Sequence, residues 1–247
     1  MKKYSVFSLI KNAFNGHKNW DIAWRDPEPK KEYDAIIIGG GGHGLATAYY
    51  LAKNYGIKNI AILEKGWIGG GNIGRNTTIL RSNYLHDANN LFYDHGMQMW
   101  KDLSQELNYN VMYSPRGILN LAHSDAQMNS FSRRGNSMRL NGIDASLLGL
   151  EEVKKMIPFA DFTSNARFPI FGGLLQPIGG TARHDAVAWG YARAADDLGV
   201  DIIQHCEVNG FDINDGKVLG VQTSRGNIKT KKLVCVLQVV LQYFQRN

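Results

Sequence analysis

Three glycines and one acid have the types and spacing that phosphate recognition needs. Gly39, Gly41 and Gly44 form G-x-G-x-x-G, and Glu64 lies twenty residues beyond the last of them. Gly39 permits a tight turn. Gly41 lacks a side chain, so the backbone can approach a pyrophosphate. Gly44 allows a helix to pack closely on a sheet. Free N–H groups at a helix start attract anions, and the helix dipole adds about +0.5 charge there. Glu64 suits both ribose hydroxyls, and a carboxylate at that position disfavours a 2′-phosphate, so NADP is not expected. The flanks agree. Residues 34–38 read as a buried strand, 45–53 as a helix and 60–63 as the next strand. Strand, glycine turn, helix, strand and acid make up a dinucleotide-binding fingerprint, which leaves FAD and NAD both open.

Two further stretches carry chemical groups. In residues 66–81, the run Gly69-Gly70-Gly71 leads through Asn72 to Arg75-Asn76-Thr77-Thr78. That is a poor regular element. It is a good loop, whose backbone donors and hydroxyls can wrap a phosphate or a flavin edge. Arg75 and Arg81 can neutralise anions, and a plain surface loop is the competing reading. Later, Arg183 and His184 stand before Asp185, which reads as the cap of a helix running to Leu198. Spacing alone does not separate a functional His184 from an accident of the cap region.

The elements that must position these groups follow from pattern. Residues 87–107 read as a helix with Leu91, Phe92, His95, Met99 and Leu103 on a core face. Residues 112–122 read as a strand pair around Pro115-Arg116-Gly117, 125–140 as a basic amphipathic helix and 150–156 as a short helix. Residues 170–175 read as sheet and 200–208 as a strand. Turns at 214–217 and 224–227 imply a three-stranded meander, and 228–236 returns toward the first sheet. Residues 1–32 read as an arm that docks on a surface, with Trp20 and Trp24 before a proline-bearing linker.

The chain has 247 residues and a formal net charge of +6, with its lysines and arginines scattered. A scattered, mild charge does not suggest nucleic-acid binding. No apolar run approaches a membrane span, and the start of the chain lacks a signal-peptide pattern. Cys206 and Cys235 form no metal motif, and no metal is expected. A reducing, cytoplasmic setting is the expectation, with no nucleic-acid or membrane partner.

Taken together, several segments resemble the β subunits of heterotetrameric sarcosine oxidases, within the D-amino-acid-oxidase-like FAD oxidoreductases. The resemblance rests on residues 39–51, Leu63-Glu64-Lys65-Gly66-Trp67, Arg75-Asn76-Thr77-Thr78, Arg81-Ser82-Asn83-Tyr84-Leu85, and His184-Asp185 with Ala188-Trp189. It implies an α/β fold: an FAD-binding, Rossmann-like domain of glutathione-reductase type, with a β-meander and a partial substrate-domain sheet. Residues 33–247 would form this domain. Its nucleotide-binding core would be 33–111 and 177–236, with substrate-domain residues at 112–176. The resemblance implies non-covalent FAD at Gly39, Gly41, Gly42, His43, Gly44, Glu64, Lys65, Asn72, Arg75, Thr77, Thr78 and Ile79, and at Val208 after a strand 201–207. It also implies covalent FMN at His184, beside Arg183.

The implied chemistry is oxidation of sarcosine to glycine with FAD as hydride acceptor, electron transfer to FMN, and reduction of O₂ to hydrogen peroxide. An α subunit and smaller γ and δ subunits are the implied partners, with tetrahydrofolate met through α. No catalytic residue follows from the resemblance. Two other readings stand beside it: a non-catalytic dinucleotide-binding fragment or assembly module, and a related FAD-dependent secondary-amine dehydrogenase.

The end of the chain departs from the family pattern. A strand returning to the nucleotide sheet is expected to close in small residues, Val-Val-Ala-Gly-x-Ser-Ser-Val-Leu. Here Val236 is followed by Leu237-Gln238-Val239-Val240 and further bulky residues. A single-base deletion after the Val236 codon is compatible with the family pattern in the restored frame, and a natural short form is the alternative. A truncation would leave the sheet without its closing strands, and weak FAD retention and poor solubility are then expected.

Overall fold

The computed structural model describes residues 5–236 except 19, 21 and 164. The expectation about the tail after Val236 lies outside the described residues. In chain order the elements begin with α1 (Val6–Phe14), β1 (Ala35–Ile38), α2 (Gly42–Tyr55), β2 (Ile60–Leu63), a 3-10 turn at Asn72–Arg75, β3 (Ile79–Leu80) and α3 (Asp87–Glu106). Next come β4 (Ile118–Ala122), α4 (Asp125–Leu140), β5 (Ser146–Gly149), α5 (Leu150–Met156), β6 (Gly172–Gln176) and β7 (Gly180–Thr181). The rest are α6 (His184–Asp197), β8 (Asp201–Ile203), β9 (Val208–Asn214), β10 (Lys217–Thr223), β11 (Gly226–Lys229) and β12 (Leu233–Cys235). They fall into two units. One takes Met1–Thr77, Gln105–Val111 and His184–Asn247, as far as these are described, and the other Thr78–Ser104 and Met112–Arg183.

The first unit is built on a parallel sheet of order β12-β1-β2-β8. Every residue of β1, β2 and β8 is buried, as a parallel sheet covered on both faces requires. Ile36, Ile38, Leu63 and Ile203 pack with Val221 and Ile228 of the antiparallel meander β9-β10-β11. Helices α2 and α6 pack together, and their small residues Ala48, Ala52, Ala188 and Ala192 are all buried. Tyr49 and Tyr191 meet edge to face at 5.7 Å in the same layer. Gly56, with φ +67°, ends α2 in the left-handed conformation that an L side chain resists.

The arm is tied to this unit by one buried acid. Asp201 receives Lys30 Nζ at 2.7 Å and Arg25 Nη1 at 3.4 Å. It also accepts a hydrogen bond from the Tyr33 hydroxyl at 3.1 Å. Arg25 Nε reaches Asp196 as well, at 2.7 Å. Upstream, α1 is capped by Ser5 and buries none of its residues. That helix lies in a stretch read from sequence only as an arm.

The second unit holds the antiparallel sheet β4-β6-β5, with α4 and α5 against β6, and the β3–β7 ribbon. Met138, Ile143, Ala145 and Leu174 form its core cluster.

Four expectations need correction. The strand pair at 112–122 does not form: only β4 is a strand, and it pairs with β6. Positive φ at Met112 and Gly117, with Pro115 between them, prevents a hairpin, and Ser114 instead bridges Thr181. The core face assigned to α3 is rotated: Leu91 (60% exposed), Phe92 (72%) and Met99 (41%) face outward with His95, whereas Asn90, Met97 and Leu103 are buried. Asn90 sets that roll, accepting from Tyr84 N and donating to Ser137 Oγ. The strand at 200–208 stops at Ile203, because His205 has φ +51° and the N–H groups of His205 and Cys206 turn to Gly66 O and Glu64 O. Finally, α6 begins at His184, which places Asp185 in its first turn, where Oδ1 accepts from Ala186 N.

Removing Asp201 takes away the ion-pair partner of Lys30, one of the two acids that hold Arg25, and the acceptor of the Tyr33 hydroxyl. Asp201→Ala is expected to lower the unfolding free energy by about 1–2 kcal/mol in urea denaturation, since both cations are half-exposed. A second expectation concerns high pH. Burial, with Asp201 adding to it, pushes the Tyr33 phenol up to about 12 from 10.0. The folded pKa is the higher one, so this contribution is complete below the unfolded value and is lost as pH rises from 10.0 toward 12. Urea midpoints should fall across that interval, and less steeply in Tyr33→Phe.

Candidate functional site

The chain turns at Gly39 through a backbone conformation that an L side chain resists. Gly39 has φ +112°, and its N–H donates to Leu63 O at 2.9 Å. A Cβ on Gly44 would lie 2.0 Å from Gly39 O, a distance no side chain tolerates. Gly41 differs: it is the residue before α2, and a Cβ there would meet nothing within 4 Å. The open space at Gly41 lies beside the first N–H groups of α2, those of Gly42, His43 and Gly44, which have no carbonyl partner within the helix. This is the geometry of an anion cradle, with the helix dipole behind it. The helix starts three residues earlier than its apolar pattern suggests, so the last glycine of the motif lies inside its first turn.

Glu64 closes the cradle from β2. Its Oε2 accepts from Gly40 N at 2.7 Å, and its Oε1 from Gly66 N at 2.8 Å. Each oxygen keeps a further lone pair for a sugar hydroxyl. Gly66 and Gln204 belong to the site and were not read from the sequence. Gln204 Oε1 accepts from Ile68 N at 2.9 Å and holds the start of the glycine loop. A polar residue directly after the buried run of β8 is the signal that could have found it. The loop then folds back, with Gly69 N donating to Gly40 O at 3.2 Å. Ile73 lies over Gly42, where a Cβ would meet its Cδ1 at 2.7 Å.

The remaining sequence-derived residues fall as follows. Lys65, Asn72, Arg75 and Thr77 are exposed on the loop side of the first unit. Val208 is buried at the start of β9, opposite Thr223. His184 opens α6, and its Nδ1 is buried without a hydrogen-bond partner. Thr78, Ile79 and Arg183 belong to the second unit. Thr78 has φ +62° and its carbonyl accepts from Ala182 N at 3.1 Å, while Ile79 pairs with Thr181. The β3–β7 ribbon thus brings the stretch before Arg81 alongside the stretch before Arg183 and His184.

A glycine turn at the end of a parallel strand, a helix N-terminus and an acid clamped by two backbone N–H groups make up a dinucleotide-binding fold. The FAD dependent oxidoreductase family model matches residues 34–240, and the chain belongs to that family. It is 62% identical, over 94% of its length, to the sarcosine oxidase subunit beta of Rhizobium meliloti (strain 1021), of which it covers 55%. It is 52% identical to the protein of the same name from Rhodobacter capsulatus, over 96% of this chain and 57% of that one. The chain therefore spans about half the length of the curated relatives it matches. Among solved structures it is similar to L-proline dehydrogenase from P. horikoshii, with a TM-score of 0.80 and 26% identity, covering 88% of this chain and 56% of that one.

The residues present fit FAD: the Gly41 space, the free N–H groups of α2 and the Glu64 carboxylate match a pyrophosphate and a ribose. Gly44→Ala is expected to destabilise the chain by about 1–3 kcal/mol and to abolish FAD binding, since the Gly39–Gly44 contact cannot open. Gly41→Ala is expected to leave the melting temperature unchanged and to weaken FAD binding. Thermal melts beside flavin-fluorescence titrations check the pair.

Proposed function

We propose that the chain works as a sarcosine oxidase β subunit, binding FAD in oxidative demethylation of sarcosine to glycine. The observation that carries this reading is the 62% identity over 94% of the chain to a protein of that name. Gly39, Gly41, Gly42, His43 and Gly44 would hold the pyrophosphate, Glu64 the ribose, and the backbone of Val208 the adenine side. Lys65, Asn72, Arg75, Thr77, Thr78 and Ile79 line the loop side. His184, beside Arg183, is the point of covalent FMN attachment. The partnerless, buried Nδ1 of His184 supports a ring held for a group outside this chain's own hydrogen bonds. The other proposed members of the assembly are α, γ and δ subunits, with tetrahydrofolate met through α, in the cytoplasm.

When bound, FAD supplies the hydride acceptor and FMN the route of the electrons to O₂, giving hydrogen peroxide. The chain's own residues bind and orient. Sarcosine and proline are both secondary amines carrying a carboxylate, so the likeness to a proline dehydrogenase supports that substrate class. It also favours a second reading, a secondary-amine dehydrogenase that does not use O₂. The carboxylate needs a cation. Arg81 suits that role: it follows β3 directly, is half-buried, and has its guanidinium over the Tyr84 ring at 5.2 Å.

The test is co-expression with the neighbouring subunits, intact-mass measurement and addition of sarcosine. The expected results are a covalent FMN mass that His184→Ala removes, and one peroxide released per sarcosine oxidised. Sarcosine-dependent flavin reduction without peroxide or covalent flavin would establish the dehydrogenase instead.

A further inference from the structure

Residues 81–85 have no regular structure, yet several of their polar groups are held by hydrogen bonds from elsewhere in the unit. Ser82 N donates to Gln176 Oε1 at 3.1 Å, and Gln176 Nε2 returns a bond to Ser82 Oγ at 2.6 Å, with both residues 0% exposed. Tyr84 N donates to Asn90 Oδ1 at 3.0 Å, and Ser137 Oγ donates to Leu85 O at 2.7 Å. The Tyr84 ring stacks on Tyr93 at 4.4 Å. The segment is thus fixed from β6, α3 and α4.

Asn83 is the exception. It is 1% exposed, and its Nδ2 is buried without an acceptor. An unsatisfied amide carries a desolvation cost that an apolar side chain of the same size avoids. The other end of the amide is occupied: Oδ1 accepts from Arg81 Nη1 at 2.9 Å. Two contacts therefore fix Arg81. The Tyr84 ring supports the guanidinium from one side and Asn83 takes one of its N–H groups. A guanidinium has five donors in a rigid fork, so one spent on Asn83 leaves the others oriented for a bidentate acceptor.

We propose that Asn83 is a positioning residue, whose side-chain carbonyl holds the Arg81 guanidinium for the carboxylate of a small amino-acid ligand. This rests on the substrate reading above, and it adds a residue that touches neither substrate nor flavin. This accounts for the orphaned amide nitrogen: Asn83 is polar for the sake of its oxygen.

The probe is methoxyacetate, which keeps the carboxylate and size of sarcosine but has no amine to oxidise, with neutral methoxyacetamide as control. Binding is measured by calorimetry on the FAD-loaded full chain, for wild type, Asn83→Leu, Arg81→Gln and the double variant. Asn83→Ala serves if the leucine variant does not fold. Asn83→Leu is expected to bind methoxyacetate about tenfold more weakly, the loss of one charge-assisted hydrogen bond. Methoxyacetamide binding should be unchanged, and in the Arg81→Gln background Asn83→Leu should cause no further loss. Wild-type affinity in Asn83→Leu, equal weakening of the neutral amide, or an additive loss in the double variant overturns the proposal while leaving the substrate reading intact. No methoxyacetate binding by the wild type overturns both.

Discussion

The carboxylate of Glu64 joins the two turns on which this fold depends. One oxygen takes the N–H that follows β1 and Gly39, the other the N–H that opens the glycine loop after β2. The backbone around it completes the tie: Glu64 N donates to Ile203 O at 3.0 Å, and Cys206 N donates to Glu64 O at 2.9 Å. A single residue so links β1, β2 and β8 at their C-terminal ends. Ligands of open parallel sheets bind beyond those ends. The acid proposed for a ribose is therefore also the acid that holds the turns in register, and charge-assisted bonds to two backbone donors make it stiff.

That clamp works only because the glycines around it are of two kinds. Gly39 and Gly44 are glycines of contact, with the backbone oxygen of one occupying the Cβ position of the other. Gly41 is a glycine of clearance, with nothing near it. The sequence motif is one string, but its residues answer to different forces, steric closure inside the fold and open space toward a ligand.

The nucleotide-binding half was legible in the sequence because its signals are local. A run of isoleucines ending in glycine, a helix with small residues on one face and an acid at the right distance each fix their own element. The meander was legible for the same reason, since Asp215-Gly216 and Arg225-Gly226 mark its turns. What failed depended on distant partners. The roll of α3 follows from Asn90 meeting Tyr84 and Ser137, which no periodicity displays. The break after Ile203 follows from His205 and Cys206 bonding to the Glu64 turn rather than continuing the strand. The arm's anchor follows from Asp201, an acid at a strand start whose partners lie far away in sequence. In the candidate site, Glu64 and the glycines were readable, whereas Gln204, whose side chain holds a loop distant in sequence, and Gly66, which acts through its backbone N–H, were not.

The measurement that tests the central claim most directly is a titration of FAD into wild type and Glu64→Gln, followed by flavin fluorescence with circular dichroism as a check on folding. A glutamine keeps the shape but loses the charge, and its amide cannot accept at both ends. Saturable binding of one FAD by the wild type, with affinity about tenfold lower in a folded Glu64→Gln, is the predicted result. Equal affinity in the two proteins, or no saturable binding by a folded wild type, would contradict the account of Glu64 as the residue that closes the cofactor site.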